Sequence, residues 1–185
     1  MQIQLRGNQI REFSPLAGLT ELQHLDLSDN PIREISPLAG LTELQHLDLS
    51  DNPIREISPL AGLSQLRLLD ISRNEVIDIT ALQGLFGLKT LHLDGNDLED
   101  ISTLANLSAL VILSFNDNEV RDISPLENLP DLVALEMSNN QVRDISPLLK
   151  LERLSQIDLT GNPLDRISRE VYIPSLRANR VKVIF

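Results

Sequence analysis

The chain has 185 residues, 42% of them hydrophobic and only 3% aromatic, so one core built from Leu and Ile accounts for most of its apolar content. A formal net charge of −11 argues against nucleic acid and anionic lipid as ligands, since both require clustered cations, and the absence of Cys excludes disulfides, thiolate metal sites and thiol catalysis. No apolar run approaches the roughly 20 residues of a membrane span, and the opening MQIQLRGNQI lacks the apolar stretch of a signal peptide.

In chain order, the first predicted element is a strand holding Ile3 and Leu5 that ends in a turn at Asn8. That asparagine returns every 22 residues, at Asn30, Asn52, Asn74, Asn96, Asn118, Asn140 and Asn162. Residues 19–40 and 41–62 both read LTELQHLDLSDNPIREISPLAG, and the later repeats keep the apolar positions while the letters between them change. In the second repeat those positions are Leu44, Leu47, Leu49, Ile54, Ile57, Leu60 and Leu63. Leu44, Leu47 and Leu49 lead up to the Asn with the alternation of a short strand facing one core, so successive strands are expected to stack in parallel.

After each Asn comes a polar slot: Ser14, Ser36, Ser58, Thr80, Ser102, Ser124, Ser146 and Ser168. Pro follows it at Pro15, Pro37, Pro59, Pro125 and Pro147. Ser or Thr as N-cap with Pro in the first helical position predicts a short helical or 3-10 segment, because Pro has no donor to lose there. Each repeat therefore reads as strand, turn and short helix. The Asn carboxamide, with donors and an acceptor, is expected to satisfy backbone groups of its own and neighbouring coils, a structural task.

The two ends depart from the pattern. After Ile167 the phase fails, with Glu170 where Leu is expected. Tyr172, Ile173 and Leu176 can cover the last coil and Val181 and Val183 alternate as a closing strand, so 168–185 reads as a C-terminal capping segment after repeats spanning 1–167. The first strand begins with nothing to cover it. The expectation is either that an upstream cap has been removed or that the edge pairs with a second copy of the chain.

The repeat resembles the 22-residue bacterial leucine-rich repeat of the internalins and of the phosphatase-regulator class that shares its length. The segments Asp122–Leu126 and Asp144–Leu148, both DISPL, carry the resemblance most specifically, and it extends from residue 1 to about 167. It implies an α/β solenoid, a right-handed horseshoe with a concave parallel β-sheet and convex short helical or 3-10 segments. It also implies a protein partner bound on the concave face.

Outward strand positions are free of packing, so a binding surface would be written there. Six, four and two residues before each Asn, the candidate partner-binding residues are His24, Asp26, Ser28, His46, Asp48, Ser50, Leu68, Asp70, Thr90, His92, Asp94, Ile112, Ser114, Asn116, Glu136 and Asp158. Asp26, Asp48 and Asp70 fall in one column about 5 Å apart, where each pair repels by roughly 1 kcal/mol in water. A partly basic partner relieves that; a solvated acidic face kept for solubility is the alternative. Leu68, Val111, Ile112, Val133 and Ala134 make the other part of the face apolar.

His24, Asp26 and Ser28 have the residue types of a hydrolase triad. Residues two apart on a strand lie about 6.5–7 Å from one another, so the required contacts are not built in and no enzyme is expected. His24 and His46 with an intervening Asp are conceivable metal ligands, but they lack a closed coordination shell; no metal and no cofactor is expected. Arg11, Arg33, Arg55, Arg121 and Arg143 precede Glu12, Glu34, Glu56, Asp122 and Asp144, and are expected to form ion-pair ladders between coils. Asn106–Ser108 is a glycosylation triplet of a kind common by chance. The expected function is a protein–protein interaction module. A scaffold joined through its open N-terminal edge, or an engineered idealised repeat with no natural ligand, stands beside it, since both recent duplication and design leave identical copies.

Overall fold

A computed structural model describes residues 1–185. Nine three-residue strands form one parallel sheet in strict chain order. They are β1 (Gln2–Gln4), β2 (His24–Asp26), β3 (His46–Asp48), β4 (Leu68–Asp70), β5 (Thr90–His92), β6 (Ile112–Ser114), β7 (Ala134–Glu136), β8 (Gln156–Asp158) and β9 (Lys182–Ile184). From β1 to β8 each residue pairs with the one 22 positions later, as Leu25 does with Leu47 and Leu47 with Leu69. The sequence period is thus the sheet register itself.

The core is one cluster of 51 buried residues running the length of the solenoid. The central residue of each strand from β2 to β8 points into it, together with the Leu, Ile, Phe or Met three residues before each Asn from Asn30 on and the Leu, Ile or Val slots that follow it. Phe115 occupies the slot held by Leu93 and Met137 in adjacent coils, and it is fully buried. No helix is long and apolar enough to cross a membrane.

Each Asn from the second coil onward ties its coil to the one before. Asn74 Nδ2 donates to Ile71 O and Ser72 O in its own turn and to Leu49 O one coil earlier, at 3.0–3.1 Å, while Oδ1 accepts from Ile54 N at 3.0 Å. Asn30, Asn52, Asn96, Asn118 and Asn140 repeat that pattern. Asn8, in the first coil, is exposed and donates only to Leu5 O and Arg6 O. Before each Asn the chain enters the left-handed region, at Gly7, Asp29, Asp51, Arg73, Gly95, Asp117, Asn139 and Gly161. Gly, Asn and Asp tolerate that conformation best, and Arg73 is the departure from them.

On the opposite side of each coil lie 3-10 segments such as Ser36–Leu38, Ser58–Leu60, Ser124–Asn128 and Ser146–Lys150. The N-cap role expected of the Ser is corrected here. Ser is the first residue inside the segment, the preceding Ile makes no side-chain cap, and the acid two residues before the Ser supplies the acceptor. Asp122 Oδ1 accepts from Ser124 N at 2.8 Å, Asp144 Oδ1 from Ser146 N at 2.7 Å, and Asp100 Oδ1 from Ser102 N at 2.7 Å. Asp78 accepts likewise from Thr80 N, which holds its carboxyl below the ordinary carboxylate range.

The expected Arg-acid ladders are corrected by the same fact. Of the Arg residues named for them only Arg55 forms an ion pair, and its partner is Glu75, at 2.6 Å. Arg73–Asp51, Arg153–Asp131 and Lys150–Glu127 join successive coils as well. A backbone N–H two residues away is a fixed partner for an acid, whereas an exposed ion pair contributes only about 0–1 kcal/mol after ordering two long side chains.

At the C-terminal end a π-helical turn, Ser168–Tyr172, runs into α1 (Ile173–Ala178). Pro174 has no N–H to offer the preceding turn, and the backbone ahead of it widens. Ile173, Leu176, Val181 and Val183 are buried, Tyr172 is half-buried, and β9 continues the sheet. Ser168, exposed in its equivalents Ser58 and Ser124, is fully buried here and donates to Arg143 O at 2.9 Å.

Replacing a ladder Asn leaves an N–H and several carbonyls unpaired in the core. Asn74→Ala is expected to lower stability by about 2–4 kcal/mol in urea unfolding, and Asn8→Ala by less than about 1 kcal/mol. Equal losses at the two positions would show that the inter-coil bonds are not what the ladder contributes.

Candidate functional site

The outward residues of the strands form two rows across the sheet, and a third row follows them. His24, His46, Leu68, Thr90, Ile112 and Ala134 stand side by side in the first. Asp26, Asp48, Asp70, His92, Ser114, Glu136 and Asp158 make the second. The parallel register places like residues beside like wherever the sequence repeats, which is why three carboxylates line up.

His46, Ile112 and Glu136 are exposed; His24, Asp26, Asp48, Leu68, Asp70, Thr90, His92, Asp94, Asn116 and Asp158 are half-buried. The third row differs from the free surface expected of it. Ser28 and Ser50 are buried, as is Ser114 in the second row. Ser28 turns its hydroxyl onto Asp26 Oδ1 at 2.6 Å with its N–H at 3.0 Å, and Ser50 does the same to Asp48 Oδ1 at 2.7 and 2.9 Å. Ser72 N donates to Asp70 Oδ1 at 2.9 Å. Spacing along an ideal strand misses these contacts, because β2, β3 and β4 end at the Asp and the chain curls back over the carboxylate. The hydroxyl proton is directed at Asp rather than at an imidazole, so the Ser–His contact of a triad is not made at Ser28 or Ser50.

His24 and His46 pack edge to face with ring centroids 4.3 Å apart. No group of three His, Asp or Glu side chains converges into a coordinating set. Partial desolvation against the sheet, and then the neighbouring His24, hold the His46 imidazole below its ordinary value. Asp48 is pushed up, first by burial and further by Asp70 and Asp26, against the opposing pull of the two Ser50 bonds.

Across β5–β7 the sequence leaves the Asp-Ser scheme and a connected polar network replaces it. His92 Nδ1 lies 2.7 Å from Ser114 Oγ, and Ser114 donates its proton to Asp94 Oδ2 at 2.6 Å. With that proton committed, His92 Nδ1–H is the donor to Ser114. Asp94 Oδ1 also accepts from Asn116 N and Nδ2, both at 2.7 Å, and Asn116 Oδ1 accepts from Ser138 N and Oγ at 2.7 and 2.8 Å. The sequence identifies His92, Asp94, Ser114 and Asn116 as face residues but not as a network. The available signal is that Asp94 and Asn116 stand where other coils carry Ser.

No curated protein matches the chain significantly. The family described as Leucine Rich repeats (2 copies) matches residues 2–40, 42–84 and 87–128. Among solved structures the chain is similar to the internalin InlF of Listeria monocytogenes, with a TM-score of 0.93 and 31% identity over the whole chain, which spans 53% of that protein. It is similar to internalin C2 of Listeria monocytogenes, with a TM-score of 0.91 and 34% identity over the whole chain and 78% of that one. The leucine-rich repeat ectodomain of the Arabidopsis thaliana receptor kinase GASSHO1/SCHENGEN3 has a TM-score of 0.77 at 24% identity, over 88% of this chain and 21% of that one.

Two titrations test the electrostatics. His46 favours its neutral form in the fold, so the stability it contributes is complete above its unfolded value of about 6.5 and is lost as pH falls toward its folded value. Thermal midpoints at pH 8 and pH 5 are expected to differ less in His46→Gln than in the wild type. In NMR titration, Ser50→Ala is expected to raise the Asp48 midpoint further and Asp70→Asn to lower it; unchanged midpoints would remove Ser50 and Asp70 from the account.

Proposed function

Because the chain belongs to the leucine-rich repeat proteins, in their bacterial internalin-like class, we propose that it is an interaction module that takes a protein partner on its concave sheet. Proteins of this fold are in general protein-interaction modules, and the plant receptor ectodomain was solved in complex with Casparian strip integrity factor 2. The observation that carries the reading here is the make-up of the face. Asp26, Asp48, Asp70, Asp94, Glu136 and Asp158 stand on it, Arg6 is the only Lys or Arg in the three rows of the first eight coils, and Leu68 and Ile112 give it an apolar part.

Bringing Asp26, Asp48 and Asp70 into line costs roughly 1 kcal/mol per neighbouring pair even at the dielectric of water. A partner with basic groups relieves that repulsion and gains electrostatic steering during encounter. The Ser bonds hold the carboxylates in place before a partner arrives, so less side-chain entropy is lost on binding. The apolar part would supply the desolvated centre that most interfaces need.

The test is capture of proteins from a lysate of the source organism on the immobilised chain. A partner retained by the wild type is expected to be lost when Asp26, Asp48 and Asp70 are all changed to Asn, and again with Ile112→Asp, but retained by Lys150→Glu, in the 3-10 segment opposite the sheet. Retention by both concave variants, with loss on Lys150→Glu, would move the binding surface to the other side of the solenoid.

A further inference from the structure

Resting on the reading of the concave sheet as the binding face, we propose that the partner segment is a basic amphipathic α-helix laid across the strands, along the solenoid axis. Its cations would meet Asp26, Asp48 and Asp70, and its aliphatic stripe would meet Leu68, Ile112 and Ala134.

The spacing of the sheet selects a helix. Neighbouring parallel strands lie about 4.8 Å apart. Along a helix axis, residues three and four apart advance about 4.5 and 6.0 Å, so alternating steps bracket the strand spacing and keep one stripe in register with successive coils. An extended segment running the same way advances about 6.7 Å between side chains of one face and falls out of step at the first coil. The width agrees as well. The first two rows are about 6.5–7 Å apart along the strands, and a helix with its side chains is about 10–12 Å across, so one helix covers both. From β2 to β7 the face spans about 24 Å, the length of about 16 helical residues.

The carboxylates are arranged for this. Asp26, Asp48 and Asp70 each commit only Oδ1 to their own coil, through the bonds from Ser28, Ser50 and Ser72, and each keeps Oδ2 without a protein partner. Three free acceptors at the strand spacing match Lys or Arg side chains at successive turns of one helix. Two strands beyond Asp70, Ile112 is 40% exposed although it lies in the middle of the sheet, with half-buried Leu68 and Ala134 in the same row. A separate helix of this length is marginal in water, so the segment would gain its helical form on the face or bring it from a folded partner.

The probe is a synthetic peptide of about 18 residues with Leu along one helical stripe and Lys at successive turns beside it, measured by fluorescence anisotropy. Three relatives accompany it: one with a central Pro, one with Glu for Lys, and one in which the same residues alternate as in a strand. Binding of the parent is expected to weaken at least about 10-fold in each relative, and as much with the triple Asp26→Asn, Asp48→Asn, Asp70→Asn chain or with Ile112→Asp. Asn keeps the Oδ1 acceptor for the Ser bonds, and circular dichroism confirms that the variants fold. Equal or tighter binding of the alternating peptide, indifference to the triple variant, or no binding of the parent overturns the helix. In each of those cases the lysate capture separately decides whether the concave face binds a protein at all.

Discussion

Every coil from the second to the eighth depends on one buried carboxamide. A three-residue strand followed by a tight turn leaves backbone groups pointing into the solenoid, where water cannot reach them. The ladder asparagines pair them, within the turn and with the previous coil. An unpaired polar group in such a place costs on the order of 1–3 kcal/mol, so a layer without its Asn would be hard to stack. With it, no buried side-chain N or O lacks a partner. The aliphatic core can then be filled the same way at each level.

The face proposed for binding is a consequence of that stacking. Once successive coils are held 22 residues apart in register, whatever the sequence writes in an outward column becomes a row across the sheet. Asp26, Asp48 and Asp70 are far apart in the chain and adjacent in the fold. Burial and mutual repulsion raise Asp48, and the Ser50 bonds oppose them, so the row is held rather than dispersed. Turn-stabilising serines therefore fix the geometry of the acidic surface.

The same economy explains why some residues lie elsewhere than their spacing in the sequence implies. Ser28 and Ser50 look like free surface in the sequence because they continue the strand alternation, yet they fold back and are buried. Glu56, Asp122 and Asp144 look like partners for the adjacent Arg residues, yet they serve the first N–H of a 3-10 segment. In each case a short polar side chain had a backbone or near-neighbour partner within two residues. A fixed local bond outcompetes an exposed ion pair between long, mobile side chains.

What the sequence by itself determined is the repeat, the parallel order of the strands, the slots of the core and the identity of the outward columns. These follow from periodicity, and periodicity needs no coordinates. Only the tertiary structure decided which column residues are exposed, that His92, Ser114, Asp94 and Asn116 join across coils, and that Asp26, Asp48 and Asp70 each keep one oxygen free. Those facts depend on how a side chain rotates and on which neighbour lies beside it one coil away, and contacts of that kind are set by three-dimensional register rather than by distance along the chain.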